Sequence, residues 1–268
     1  MTLKYYDTTN LNPIVEELFQ LTFSKEDIPF QSTVLPICFT TITNIYSKGQ
    51  SSVYKKTETP LIGLIATGQF YESYQFLVNQ ESNSYGITFH PTALHKITNL
   101  DIHKLTNKHV PLKAFAPKLY ELLNPIFLTH KDDAKGLTKS LKKFFLELPI
   151  TTNKTTALID KLIAIIHKKE GMLNTYELLD YIDFSQKTLE TQFKKIVGLT
   201  PGKYIRLHRF LKLMRKHEGK EIDLKDLIHM YNYYDHSHFV KDFKHFMKQS
   251  PKDYFKSENA FLNEYLNK

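Results

Sequence analysis

The chain has 268 residues, 41% hydrophobic and 24% charged, the make-up of a globular protein long enough for two domains with separate cores. No stretch approaches the roughly 18 consecutive apolar residues of a membrane span. The opening MTLKYYDTTNLNPIVEELF lacks the charged start, apolar run and small-residue cleavage site of a signal peptide, so no membrane partner and a cytoplasmic location are expected. The net charge of +8 divides into +2 over residues 1–150 and +6 over residues 151–268, and the three arginines, Arg206, Arg209 and Arg215, all lie in the second half. That asymmetry points to a polyanion as partner of the C-terminal half.

Taken in order, residues 12–23 read as an opening helix. The next hundred residues, through ICFTTITNIY, SVYKK, PLIGLIAT, YESYQFLV and YGITF, are rich in β-branched and aromatic residues and read as strands. SKGQ at 47–50, TGQ at 67–69 and NQESNS at 79–84 supply the turns. An antiparallel sheet or small barrel follows, with Cys38 a small buried residue of its core. A single cysteine can form neither an intramolecular disulfide nor a multi-cysteine metal site. From Ala116 the period becomes helical, with Leu119, Leu122, Leu123 and Ile126 on one helix and Leu137, Leu141, Phe144, Phe145 and Leu148 on the next. PITTNKTT at 149–156 has no apolar period and is the expected linker between domains 1–150 and 151–268. The fold class is therefore α+β: an antiparallel β-rich domain with flanking helices, then an all-α domain of about seven helices.

Beyond the linker, Leu158, Leu162, Ile165 and Ile166 mark a helix ended by Gly171. An internal repeat follows. Leu178, Leu179, Ile182, Asp183 and Phe184 align with Leu227, Ile228, Tyr231, Asn232 and Tyr233 at an offset of 49. Leu189, Phe193, Lys194, Thr200, Pro201 and Tyr204 align with Phe239, Phe243, Lys244, Ser250, Pro251 and Tyr254 at an offset of 50. Each copy reads as a short helix, a turn and a longer helix, the pattern of a helix-turn-helix. Asp183 and Asn232 occupy the turns, where left-handed geometry is expected, and Ser185 and Asp235 are suitable N-caps for the second helices. Apolar residues at i and i+4 hold each second helix inward. The outward set is Gln186, Lys187, Thr188, Glu190, Thr191 and Lys194 in the first copy, and His236, Ser237, His238, Lys241 and Lys244 in the second. Such residues suit base edges and phosphates of a major groove.

Over about residues 157–256 the sequence resembles the AraC/XylS family of transcription regulators. The matching residues are Ser185, Leu189, Phe193, Lys194, Gly198, Thr200, Pro201, Tyr204 and Arg209, then Asp235, Ser237, Phe239, Phe243, Lys244, Ser250, Pro251 and Tyr254. The resemblance implies two recognition helices on one long spacer helix, entering successive major grooves of double-stranded promoter DNA, with RNA polymerase as protein partner and activation as the commoner outcome. By the same resemblance the base-reading positions fall on Lys187, Glu190 and Thr191, and on Ser237, His238 and Lys241. Ser185, Lys194, Lys203, Arg206 and Lys244 are assigned to phosphates, while Arg209 is divided between a phosphate and an internal ion pair. Asn232, Tyr233 and Lys248 depart from the family's glycines and phenylalanine, and Lys248 demands either a different helix end or left-handed strain.

The segment 85–112 is more weakly similar to the regulatory domains of a subset of these proteins, through a Gly-x-x-Phe-x-Pro run. It implies effector sensing or homodimerisation without choosing between them. The aromatic set Phe39, Tyr46, Tyr54, Phe70, Tyr71, Tyr74, Phe76 and Phe89 reads as core, with a ligand cavity as the alternative. No catalytic, cofactor or metal residue is assigned. The twelve histidines, His236-x-His238 included, lack the companions of a zinc signature, and the motifs of nucleophilic, phosphate-binding and zinc enzymes are missing. The reading from a different class is a helical protein-interaction module that has kept the fold and lost affinity for DNA.

Overall fold

A computed structural model describes residues 1–11, 14–218 and 222–256. Eight strands open the chain: β1 (Thr2–Tyr6), β2 (Val15–Phe23), β3 (Phe30–Val34), β4 (Thr40–Tyr54), β5 (Thr57–Thr67), β6 (Tyr74–Val78), β7 (Ser82–Phe89) and β8 (His109–Pro111). All pairings are antiparallel, in the order β1-β2-β7-β4-β5-β8, with β6 bridging β3 to β4. The sheet curls because β4 carries a bulge where the register jumps between Ile45 and Gln50, with Gly49 at φ +97°.

Two expectations are corrected here. SKGQ is that bulge within one long strand and not a turn. The hairpin turn lies one step later, at Lys55 and Lys56, both at positive φ. The expected opening helix is strand β2 from Val15 onward, its first two residues lying outside the described part. VEELFQLTF places apolar residues so that helical and alternating readings both find support. Pairing on both sides with β1 and β7 decides for the strand, with Leu18 turned to one face and Phe19 and Leu21 to the other.

One face of the sheet (Leu18, Ile42, Leu64, Ile87, Phe89) packs on helices α1 (Ala93–Thr98), α2 (Leu112–Phe115), α3 (Pro117–Thr129) and α4 (Ala134–Glu147). Helices α3 and α4 contribute Leu119, Leu123, Phe127, Leu137, Leu141 and Phe145, while Leu122 faces solvent. The other face surrounds a cavity of about 160 Å³. Of the aromatic set, Phe39, Tyr74 and Phe76 line this cavity, whereas Phe89 and Tyr46 belong to the helix-side core.

The second half holds α5 (Lys154–Lys168), α6 (Gln186–Val197), α7 (Pro201–Glu218), α8 (Leu224–Met230), α9 (His236–Met247) and α10 (Pro251–Tyr254), with a 3₁₀ turn at Tyr176–Tyr181. Asn153 caps α5 through Thr156. One apolar cluster unites these helices and takes in Leu35, Cys38 and Tyr71 from the first half. Cys38 is buried there, and burial pushes its thiol far up, out of the range of a reactive thiolate. No helix among the described residues is long and apolar enough to cross a membrane.

Candidate nucleic-acid interface

The two long second helices, α6 and α9, are built alike. Ser185 caps α6 by accepting from the Thr188 amide at 3.2 Å, and Asp235 caps α9 by accepting from the His238 amide at 2.7 Å. Leu189, Phe193, Ile196 and Val197 bury one face of α6, and Phe239, Phe243, Phe246 and Met247 bury the equivalent face of α9. Both helices end in a left-handed residue: Gly198 at φ +108°, and Lys248 at φ +58°. The strain that lysine implied at this position is therefore present.

The turns differ between the copies. Asn232 is left-handed, with the Tyr233 amide reaching back to the Ile228 carbonyl at 3.1 Å, a Schellman closure of α8. Asp183 is not left-handed. The first copy leaves its 3₁₀ turn through extended Ile182, so the geometry expected at Asp183 is unnecessary. A six-residue 3₁₀ segment thus replaces the helix of about eight residues expected there.

On the outward faces Lys187, Glu190 and Thr191 of α6, and Ser237, His238 and Lys241 of α9, are all exposed. Glu190 accepts from Gln186 at 3.1 Å, and Thr191 donates to the Lys187 carbonyl at 2.8 Å, which leaves the threonine oxygen as acceptor. Ser185, Lys203 and Lys244 are exposed and Lys194 is half-buried. Lys203 also lies over the ring of Tyr71, 5.3 Å from its centroid. Tyr234, in the turn before α9 and 92% exposed, belongs to this surface and had no periodic signal to reveal it.

Arg206 differs from its phosphate assignment. Its Nε donates to Asp242 Oδ1 at 3.0 Å and its Nη2 donates to the same oxygen. Arg209 approaches Asp242 Oδ2 at 4.0 Å while stacking on Tyr233, whose hydroxyl donates to Asp242 at 3.3 Å. Asp242, fully buried on the inner side of α9, therefore ties α7 to α9. A carboxylate three residues from Phe239, within an apolar stripe and opposite an arginine cluster, was the available sequence signal.

The first half holds the ends of α6 and α9 through residues 68–73, with Thr106 adding to the hold on α6. Gln69 donates its side-chain amide to the Val197 carbonyl at the end of α6, and Thr106 donates to the Gly198 carbonyl at 2.7 Å. Four residues on, the Ser73 amide donates to the Phe246 carbonyl of α9 at 2.6 Å, Tyr71 packs edge-on against Phe246, and Glu72 pairs with Lys248 at 2.7 Å. Tyr54 and Lys248 both hold the Glu72 carboxylate, which titrates below the usual range despite its burial. A separate link joins Lys96 of α1 to Asp160 of α5 at 2.5 Å. Among the described residues no three His, Cys, Asp or Glu side chains gather as a metal site.

Residues 178–257 match the model of a helix-turn-helix domain family (HTH_18), and residues 5–111 match that of a domain of unknown function (DUF6597). Among solved structures the chain is similar to ToxT from Vibrio cholerae O395 bound to (E)-4-(8-methylnaphthalen-1-yl)but-3-enoic acid, with TM-score 0.48 and 12% identity over 96% of this chain and 99% of that one. It is similar also to unsaturated fatty acid-bound ToxT from Vibrio cholerae strain SCE256 (TM-score 0.46, 12% identity, 90% and 93% covered). The AraC-like transcriptional activator CuxR gives TM-score 0.26 and 12% identity over 98% and 83%. No curated protein sequence matches the chain.

Proposed function

We propose that this chain is an AraC/XylS-type DNA-binding transcription regulator and that it activates transcription by laying α6 and α9 into successive major grooves of promoter DNA, a reading supported by the helix-turn-helix family match over residues 178–257. The observation that carries this reading is the pair of N-capped helices, each burying an apolar face and exposing a polar one, joined by the single spacer α7. Lys187, Glu190, Thr191, Ser237, His238 and Lys241 contact base edges, and Ser185, Lys194, Lys203 and Lys244 contact phosphates, with Tyr234 beside them. Arg206 acts through Asp242 by holding α9 at its angle. RNA polymerase is recruited from the face of the complex left free by DNA.

The first domain acts on this interface through residues 68–73. Because Gln69 holds the end of α6 while Tyr71, Glu72 and Ser73 hold the end of α9, a shift of the segment alters the relation of the two helices that the duplex must match. The interior cavity is the effector site that drives such a shift.

Selection of bound sequences from random duplex DNA by the full chain, at two salt concentrations, tests the reading. A bipartite motif with its halves about one helical turn apart is expected. Three lysines on phosphates, Lys194, Lys203 and Lys244, give a log–log salt slope of about −3. No enrichment at either salt, with binding of helical protein partners that hardly responds to salt, would favour the interaction-module reading instead.

A further inference from the structure

The cavity of the first domain has a chemistry of its own. Strand alternation places Phe19 and Leu21 of β2, Thr43 and Ile45 of β4, and Leu61 and Ile65 of β5 on its wall. Gly86 makes room for it: a Cβ there would overlap the Phe19 ring, so only glycine lets that ring lie across β7. The volume of about 160 Å³ is close to the roughly 150 Å³ of an apolar protein cavity known to hold benzene.

Charge narrows the class of occupant. Among the described residues neither lysine nor arginine lines the cavity, and Glu17 is the one carboxylate there, accepting from Thr88 at 3.3 Å. His109 lines it too, and burial holds its pKa down at about 4, so the imidazole is neutral at physiological pH. An anionic head group would find no counter-charge and would meet Glu17 instead.

The His109 that borders the cavity has one unmet hydrogen bond. The His109 ring sits 4.8 Å from Phe70 and 5.0 Å from Tyr74, and its Nδ1 is taken by Thr67 Oγ1 at 3.0 Å. Its Nε2 is buried without a partner among the described residues, a situation native proteins rarely leave unexplained. We propose that the cavity binds a small uncharged single-ring compound bearing one hydroxyl, the ring lying among the apolar wall residues and the hydroxyl pairing with His109 Nε2. This rests on the reading of the first domain as the effector domain and adds to it the ligand's class. Thr67 and Tyr74 bracket the segment 68–73, so an occupant at this end touches both roots of the contact with the recognition helices.

Calorimetric titration of the full chain with p-cresol, toluene, benzoate and tyramine tests the assignment. p-Cresol binds, toluene binds about fivefold more weakly for want of the hydrogen bond, and benzoate and tyramine bind at least tenfold more weakly than p-cresol. His109→Phe brings p-cresol and toluene to equal affinity. Thr43→Leu, which fills the cavity without touching His109, weakens both at least tenfold while leaving the circular dichroism of the chain unchanged. Tighter binding of benzoate or tyramine, a p-cresol preference that survives in His109→Phe, or no heat from any ring would each overturn the proposal. DNA selection is measured separately: a bipartite DNA motif without ring binding overturns this inference alone, and ring binding without DNA selection overturns the regulator reading alone.

Discussion

Replacing Asp242 by Asn keeps the shape of a fully buried side chain and removes its charge and one of its two acceptor oxygens, so the effect reports the ion-pair cluster and not a cavity. The carboxylate accepts two hydrogen bonds from Arg206 and one from Tyr233, with Arg209 at 4.0 Å. Breaking a buried pair from one side costs about 3–5 kcal/mol where the remaining charge stays buried. The Arg206 side chain is 41% exposed and recovers water, whereas that of Arg209 is 18% exposed and does not. The expected loss is therefore about 2–3 kcal/mol, below the about 3–5 kcal/mol of a pair whose remaining charge is wholly buried. Urea unfolding followed by circular dichroism measures it, with Glu121→Gln on the exposed face of α3 as a control that changes stability by less than about 0.5 kcal/mol. Because Asp242 anchors α9 and not α6, footprinting of Asp242→Asn on a selected operator should lose the α9 half-site first. A loss below about 1 kcal/mol, or equal weakening of both half-sites, would refute the role given to this cluster.

Lys187→Ala with Lys241→Ala should flatten the sequence preference seen in DNA selection while the circular dichroism spectrum stays unchanged. Gly198→Ala forces alanine to φ +108° and drives its Cβ into Gln69, so a loss of at least about 1–2 kcal/mol is expected, partly relieved by adding Gln69→Ala, which removes the overlap but not the backbone strain. Burial depresses His109 and His167 to about 4 and His208 to about 3, so the folded chain binds fewer protons than the unfolded chain below about pH 6.5. Their stabilisation is complete above that pH and falls as pH drops towards 4, by up to about 1.4 kcal/mol per unit for each group; urea midpoints at pH 7.5 and 5 should differ accordingly, with a shallower dependence in His167→Phe. Lys248→Gly relieves a left-handed lysine but releases Glu72, so amide exchange at residues 68–73 should speed up even where global stability rises by as much as about 1 kcal/mol.

The recognition helices were legible in the sequence because everything that makes them is local. Ser185 and Asp235 as caps, Leu189 with Phe193 and Phe239 with Phe243 as inward pairs, and the polar remainder facing out depend only on helical spacing. Strand β2 was not legible, since Val15, Leu18, Leu21 and Phe23 satisfy a helix as well as a strand until β1 and β7 pair beside them. The bulge at Gly49 escaped for a similar reason: SKGQ has turn composition, and only the continued pairing of β4 with β5 on both sides of it shows one strand. The grip of residues 68–73 on α6 and α9 joins positions more than a hundred residues apart, and nothing in the composition of TGQFYES announces it.

Lys248 shows how that grip altered the local rules. A helix ending with left-handed geometry favours glycine, which α6 has in Gly198, yet α9 ends in a lysine at φ +58°. Glycine at 248 would satisfy the backbone and leave Glu72 facing only Tyr54 and Lys55. Lysine accepts the strain and places an ammonium 2.7 Å from the Glu72 carboxylate, in a segment whose next residue already donates its amide to the last turn of α9. At the end of α6 the roles are reversed: Gly198 has no side chain to offer, and the first domain supplies Gln69 to reach across. The two helix ends are thus held by different chemistry: neutral hydrogen bonds from Gln69 and Thr106 for α6, and the Ser73 amide together with the Glu72–Lys248 pair for α9. High salt acts on the half-buried Glu72–Lys248 pair and spares the neutral hydrogen bonds of Gln69, Thr106 and Ser73, so any effect of salt on this contact falls on the α9 end.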